Sequence, residues 1–164
     1  MGRGASFAFS IKSSAFREGN PIPTRYTCWG ANISPPLEWS GAPANTRAYV
    51  LVMDNPDAPA HGRVHWVLFN IPADTIQLPE GLSRNGVLSE LGGARQGKNH
   101  LGRIGYDGPC PPPGPVRRYV FRLHALDQAL ELEMGSSLEE VERALQGHSL
   151  ASVKLAGTAL HQGG

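Results

Sequence analysis

Two apolar runs, residues 48–53 and 64–71, constrain this chain more than any other feature. Each has strand length and contains Val, Ile or aromatic residues. Both faces of each run are largely apolar, which predicts strands covered on two sides. A turn built from Asn55, Pro56, Pro59 and Gly62 joins them. Polar residues interrupt the pattern where the strands meet this loop: Asp54, Asn55, Asp57 and His65. Strand ends that turn polar beside a proline-stiffened loop are suited to hold a ligand, so the stretch reads as one wall of a site.

The rest of the chain punctuates heavily. Twenty Gly and fourteen Pro among 164 residues, with 18% charged, favour turns and short strands over long helices. The length predicts a single domain over residues 1–164 with a true core. A formal net charge of +1 supplies no field for nucleic acid or an acidic membrane, and no lysine run or aromatic-basic stripe is present. No segment approaches the length of a membrane helix, so no integral membrane association is expected. The short, broken apolar piece at 7–11 is not a signal peptide, and a cytoplasmic protein is expected. Residues 1–6, Met-Gly-Arg-Gly-Ala-Ser, fit a myristoylation pattern short enough to arise by chance. Cys28 and Cys110 form neither a CxxC motif nor a metal quartet. In a reducing cytosol they are expected as two buried thiols, with a bridge between their Gly/Pro-rich loops as the alternative.

In chain order, residues 7–11 alternate weakly and suggest a first strand. Residues 17–46 carry so many Pro and Gly that neither a helix nor a central strand is expected, yet Trp29, Leu37 and Trp39 need cover. Residues 72–86 read as a long connection. Residues 92–116 are glycine-rich, then proline-rich, and contain Asn99, Tyr106 and Asp107. Residues 117–125 alternate, with Tyr119, Phe121, Leu123 and Ala125 on one face and Arg118, Val120, Arg122 and His124 on the other. Ser137 and Glu140 form a capping box that opens a helix, Gly147 stops it, and residues 150–160 alternate again. The tally is mainly β: a two-sheet antiparallel sandwich with a C-terminal helix.

Two stretches together resemble the signatures of the phosphatidylethanolamine-binding protein (PEBP) family, which includes the Raf-kinase-inhibitor-type proteins. The first is Asn55-Pro-Asp-Ala-Pro59 followed by His65-Trp66. The second is Gly105-Tyr-Asp-Gly-Pro-Cys-Pro-Pro-Pro-Gly114 followed by Arg118-Tyr119. The arm Cys28…Asn32-x-Ser34-Pro-Pro-Leu37-x-Trp39 and Gly147-His148 are similar to the bacterial and archaeal, YbhB/YbcL-type branch. The resemblance implies a two-sheet antiparallel sandwich and a small edge pocket for phosphate, a carboxylate or a phospholipid headgroup. Matched residue by residue, it implies pocket walls of Asn55, Asp57, Pro59 and His65 on one side and Gly108, Pro111, Arg117 and Tyr119 on the other. Where this chain has Asn55 the family usually has an aspartate. Where it has Arg117 the family usually has a histidine, and where Ala159 stands a tyrosine is common. The first two departures make the pocket more positive.

His65 is either a hydrogen-bonded core histidine or a pocket group, and beside Asp57 and the Gly/Pro loop it reads as the latter. Asp57 also suits an Asx-type turn. His61 and His65 lack a third ligand, so neither metal nor cofactor is expected. Three readings follow. The leading one is a binding protein for a small anion or headgroup, acting as a regulatory or inhibitory module. The second is a cofactor-free isomerase, cyclase or lyase using His65, Asp57, Tyr119 and Arg117 as proton carriers and oxyanion partner. The third is a protease- or kinase-inhibiting interaction protein. A protein partner and a homodimer are compatible with all three.

Overall fold

The two apolar runs become neighbouring antiparallel strands in a computed structural model that describes residues 8–59 and 62–162. In chain order the strands are β1 (Ser10–Lys12), β2 (Leu37–Ser40), β3 (Ala48–Asp54), β4 (Val64–Pro72), β5 (Gln77–Leu78), β6 (Val87–Leu88), β7 (Ala94–Gln96), β8 (Arg117–Leu126) and β9 (Ser149–Ala159). The α-helix α1 (Leu138–Leu145) lies between β8 and β9. The strands form a three-stranded sheet, β1-β2-β5, and a six-stranded sheet, β6-β7-β4-β3-β8-β9, antiparallel throughout.

Cover on both faces explains why β3 has no polar side. Toward the small sheet, Leu51, Met53, Trp66, Leu68, Phe121 and Leu123 meet Ile11, Leu37, Trp39 and Leu78. On the opposite face, Val50, Val52, Val67 and Phe69 are covered by Leu126, Leu130 and Val141, the last of these from α1. The capping box that starts α1 is formed: the Glu140 amide donates to Ser137 Oγ at 3.1 Å, and the Ser137 amide donates to Glu140 Oε1 at 2.9 Å. Gly147, at φ 81°, turns the chain back toward β9 in a backbone region that favours glycine.

Three expectations change. Residues 17–46 do hold a central strand, because β2 is the middle strand of the small sheet. It is only four residues long and alternates cleanly, with Leu37 and Trp39 buried and Glu38 and Ser40 exposed. Pro36 and Gly41 flank the strand instead of interrupting it. The connection 72–86 contains β5, and the glycine-rich stretch contains β7, which pairs with β4 through Leu68 and Gln96. Gln96 anchors that strand through its side chain. It accepts from Trp66 Nε1 at 2.7 Å and donates to the carbonyls of Ser83 and Asn85, each at 2.9 Å.

The third correction concerns the cysteines. Cys28 and Cys110 are neither free nor buried; they form a disulfide at an exposed position. The two loops are brought together by other bonds: Tyr106 Oη donates to the Tyr26 carbonyl at 2.6 Å, and the Cys28 amide donates to the Pro109 carbonyl at 3.1 Å. The pattern at residues 1–6 and His61 lie outside the described residues. Among the described residues no helix is long and apolar enough to cross a membrane.

Candidate functional site

A cavity of about 520 Å³ opens where the β3–β4 loop meets the loop leading into β8. His65 enters it through a bulge. Across β3 and β4, Met53 pairs with Trp66 and Asp54 with Val64, which leaves His65 as the extra residue. Bulges re-aim side chains, and here Trp66 stays in the inter-sheet core while His65 lines the cavity. The β3–β4 loop folds on Asn55, whose Oδ1 accepts the Asp57 amide at 3.2 Å and whose carbonyl accepts the Ala58 amide at 3.1 Å. The other wall carries Gly108, Cys110, Pro111 and Pro112, then Arg117 and Tyr119 of β8. Gly108 lies so close to the arm that a Cβ there would stand 2.0 Å from the Tyr26 carbonyl oxygen.

Asp107 organises the base of the site. Its Oδ1 accepts from Asn32 Nδ2 at 3.2 Å and Arg103 Nη2 at 3.0 Å. Its Oδ2 accepts from Asn99 Nδ2 at 2.7 Å and Arg84 Nη2 at 3.0 Å. Burial alone would raise this carboxyl, but the bonds from Asn99, Arg84 and Arg103 and the charge of Arg84 outweigh it and hold it below its ordinary range. Asn32 Oδ1 in turn accepts the Gly108 amide at 2.8 Å, which ties the arm to the cavity wall.

The Asp107 carbonyl fixes the imidazole of His65. It lies 2.8 Å from Nδ1, and a carbonyl only accepts, so Nδ1 carries the proton. Burial pushes the His65 pKa down to about 4, against the pull of the Asp107 carbonyl. The ring is therefore neutral at physiological pH and offers Nε2 as an acceptor. It packs edge-on to Tyr119, with centroids 5.2 Å apart, and against His100 at 4.8 Å. Burial raises the Tyr119 hydroxyl to about 12, although the Arg117 charge opposes the shift, so the phenol keeps its proton. Arg117 has a buried Nε without a hydrogen-bond partner and makes no ion pair among the described residues.

The description of one protein family, phosphatidylethanolamine-binding protein, matches residues 12–160. The chain belongs to this family. It is 49% identical to a UPF0098 protein of Methanothermobacter thermautotrophicus, over 90% of this chain and 96% of that one. To YbhB of Escherichia coli it is 39% identical, over 87% of this chain and 94% of YbhB. The solved structure of Escherichia coli YbcL, described as a member of the mammalian PEBP family, superposes with a TM-score of 0.86 at 30% identity, covering 94% and 99% of the two chains. A PEBP homologue from Chlamydia trachomatis superposes with a TM-score of 0.84 at 37% identity, over 94% and 99%.

Of the PEBP-type residues expected at the pocket, the structure gathers Asn55, Pro59, His65, Gly108, Pro111, Arg117 and Tyr119 around the cavity. Asp57 is the exception. It is exposed and off the wall, and the Asx-type acceptor of the turn is Asn55 rather than Asp57. Of the adjacent arginines, Arg117 lines the cavity and Arg118 is exposed. Arg117 pairs in register with buried Ala159, so a small side chain stands beside the guanidinium.

Several lining residues are not among those expected at the pocket: Cys28, Asn32, His100, Arg103, Asp107 and Cys110. Asn32 and Asp107 sit inside the PEBP-type motifs and were findable there. His100 gave no signal, because it reaches the site by folding back on β4, where its amide and Nδ1 both donate to the Val64 carbonyl, at 2.8 and 2.6 Å. Among the described residues no three His, Cys, Asp or Glu side chains converge as metal ligands would.

Proposed function

We propose that the cavity binds a small oxyanion, a phosphate or carboxylate, and that the protein is a ligand-binding module. The observation that carries this reading is Arg117, a cation on the cavity wall with a buried Nε and no protein acceptor. Unpaired buried donors are costly, and a guanidinium binds carboxylate and phosphate bidentately, so an anion is its fitting partner. The Tyr119 hydroxyl adds a donor, and neutral His65 adds an acceptor suited to a P–OH or an ammonium. Phosphatidylethanolamine, the lipid in the family's name, has a headgroup with both a phosphate and an ammonium.

The same groups favour holding over turnover. His65 at about 4 and Tyr119 at about 12 both stay neutral near pH 7. The Asp107 carboxylate is engaged by two guanidiniums. No pair among these three is poised to exchange protons at neutrality.

Isothermal titration with phosphate, acetate and phosphoethanolamine tests the proposal. Arg117→Ala is expected to weaken binding by about 1.5–3 kcal/mol, the range for a hydrogen bond to a charged group. Equal affinities in variant and wild type, or no binding of any of the three, would overturn it.

A further inference from the structure

On the face of the large sheet opposite the small one, β8 and β9 carry a second set of donors. Arg122 and Lys154 stand directly opposite one another in the β8–β9 register, and His124 and Ser152 form the next pair. With Val153 they line a depression of about 250 Å³. Two like charges facing each other across antiparallel strands repel. On the Arg122 side the buried Asp54 carboxylate is a counter-charge, with one oxygen 3.8 Å from Arg122 Nε and the other bonded to Arg63 Nε at 3.1 Å, so the charge left without a partner is that of Lys154. Lys154 makes no ion pair among the described residues. The Nδ1 of His124 is buried without a hydrogen-bond partner, although Ser152 and Lys154 beside it are exposed. The cover that α1 gives Val50 and Val52 leaves this strip open.

We infer that Arg122, Lys154, Ser152 and His124 form a second oxyanion site, for a phosphate or sulfate group, independent of the cavity. An oxyanion between Arg122 and Lys154 replaces their repulsion with two attractions. It accepts from the Ser152 hydroxyl and, in the tautomer that protonates Nδ1, from the otherwise unpartnered His124 ring nitrogen. A tetrahedral oxyanion has an oxygen for each of these donors, which a planar carboxylate lacks. Burial, reinforced by Arg122, holds the imidazole below its ordinary pKa in the free protein. The site and the cavity lie on opposite faces of β8, because residues 117 and 122 differ by an odd number along a strand.

Sulfate is the probe, titrated against chloride at an ionic strength held near ~0.1 M, where exposed charges are screened beyond about 10 Å. Imidazole NMR resonances of His124 and His65 are followed in the same samples. The expected result is a saturable shift at His124. In Lys154→Ala its midpoint should rise by about tenfold, equivalent to about 1.4 kcal/mol. Ser152→Ala should move it in the same direction, and both variants should leave the His65 response unchanged. Arg117→Ala should weaken the His65 response and leave that of His124 intact, so failure of the cavity reading is distinguishable from failure of this one. A His124 signal that does not move with sulfate, or drifts without saturating and equally in Lys154→Ala, overturns the inference.

Discussion

At His65, burial outweighs the carbonyl that would favour a proton on the ring, and stability should record it. The folded pKa is about 4 against an ordinary value of 6.5. The unfolded chain therefore binds a proton in the interval where the folded one does not. Stability from this residue is fully present above 6.5 and is lost as pH falls toward about 4. The slope is about 1.4 kcal/mol per pH unit, roughly 3 kcal/mol across the window. His124 shifts the same way, so the discriminating measurement is a difference. Urea denaturation of wild type and His65→Gln between neutral and mildly acidic pH should show a shallower loss in the variant. Parallel curves would mean that the ring is hydrated in the native state. The carboxylates held below their ordinary range, Asp107 among them, lose their contribution at the bottom of the window or beneath it and do not mimic the effect.

The elements that were legible are those long enough to show a period. β3, β4 and β8 run to 7, 9 and 10 residues and declared themselves by apolar runs or alternation, as α1 did by its capping box. β5 and β7 have 2 and 3 residues, too few for a pattern, and the 4 alternating residues of β2 are too short a run to stand out between Pro36 and Gly41, so all three depend on neighbours for definition. The Gln96 side chain is the clearest case. The cavity divides in the same way. The motifs point to Asn55, Pro59, His65, Gly108, Pro111, Arg117 and Tyr119 but not to Asp107, whose network draws on Asn32 and Arg84, 75 and 23 residues away in sequence, through loops with no periodicity. Those loops meet at Gly108, whose role is space. Gly108→Ala would put a methyl group 2.0 Å from a backbone oxygen of the arm, which cannot rotate away. The arm must then separate from the wall, at a cost of about 1–3 kcal/mol typical of overpacking. Calorimetry should show the loss of stability, and anion titration should show weakened binding in the same variant. Unchanged behaviour in both would mean that the arm and wall are not in contact in solution.

Across the whole molecule, the Cys28–Cys110 disulfide spans a sequence separation of 82 residues and also forms part of the cavity wall. In the chain-entropy account a closed loop of that size is worth about 4.5 kcal/mol, an upper figure for an engineered removal. Cys110→Ser should lower the unfolding midpoint in denaturant, and dithiothreitol should lower that of the wild type but not of the variant. A wild type indifferent to the reductant would show that the bridge does not restrain the unfolded chain. Long reach is general here. β3 pairs with β8, and the backbone at 19–22 closes on the final strand, with Gly19 and Ile22 amides donating to the Ala156 and Thr158 carbonyls at 2.8 Å and the Thr158 amide returning to Asn20 at 3.0 Å. Such separated contacts form late, after loop entropy has been overcome. A chain in which β9 has not yet paired with β8 lacks the partner that holds Arg117 and Tyr119 in place. On the function proposed above, anion binding therefore requires β9 to lie in register on β8. In refolding experiments it should return in the same kinetic phase as the aromatic circular dichroism, with no earlier intermediate competent to bind.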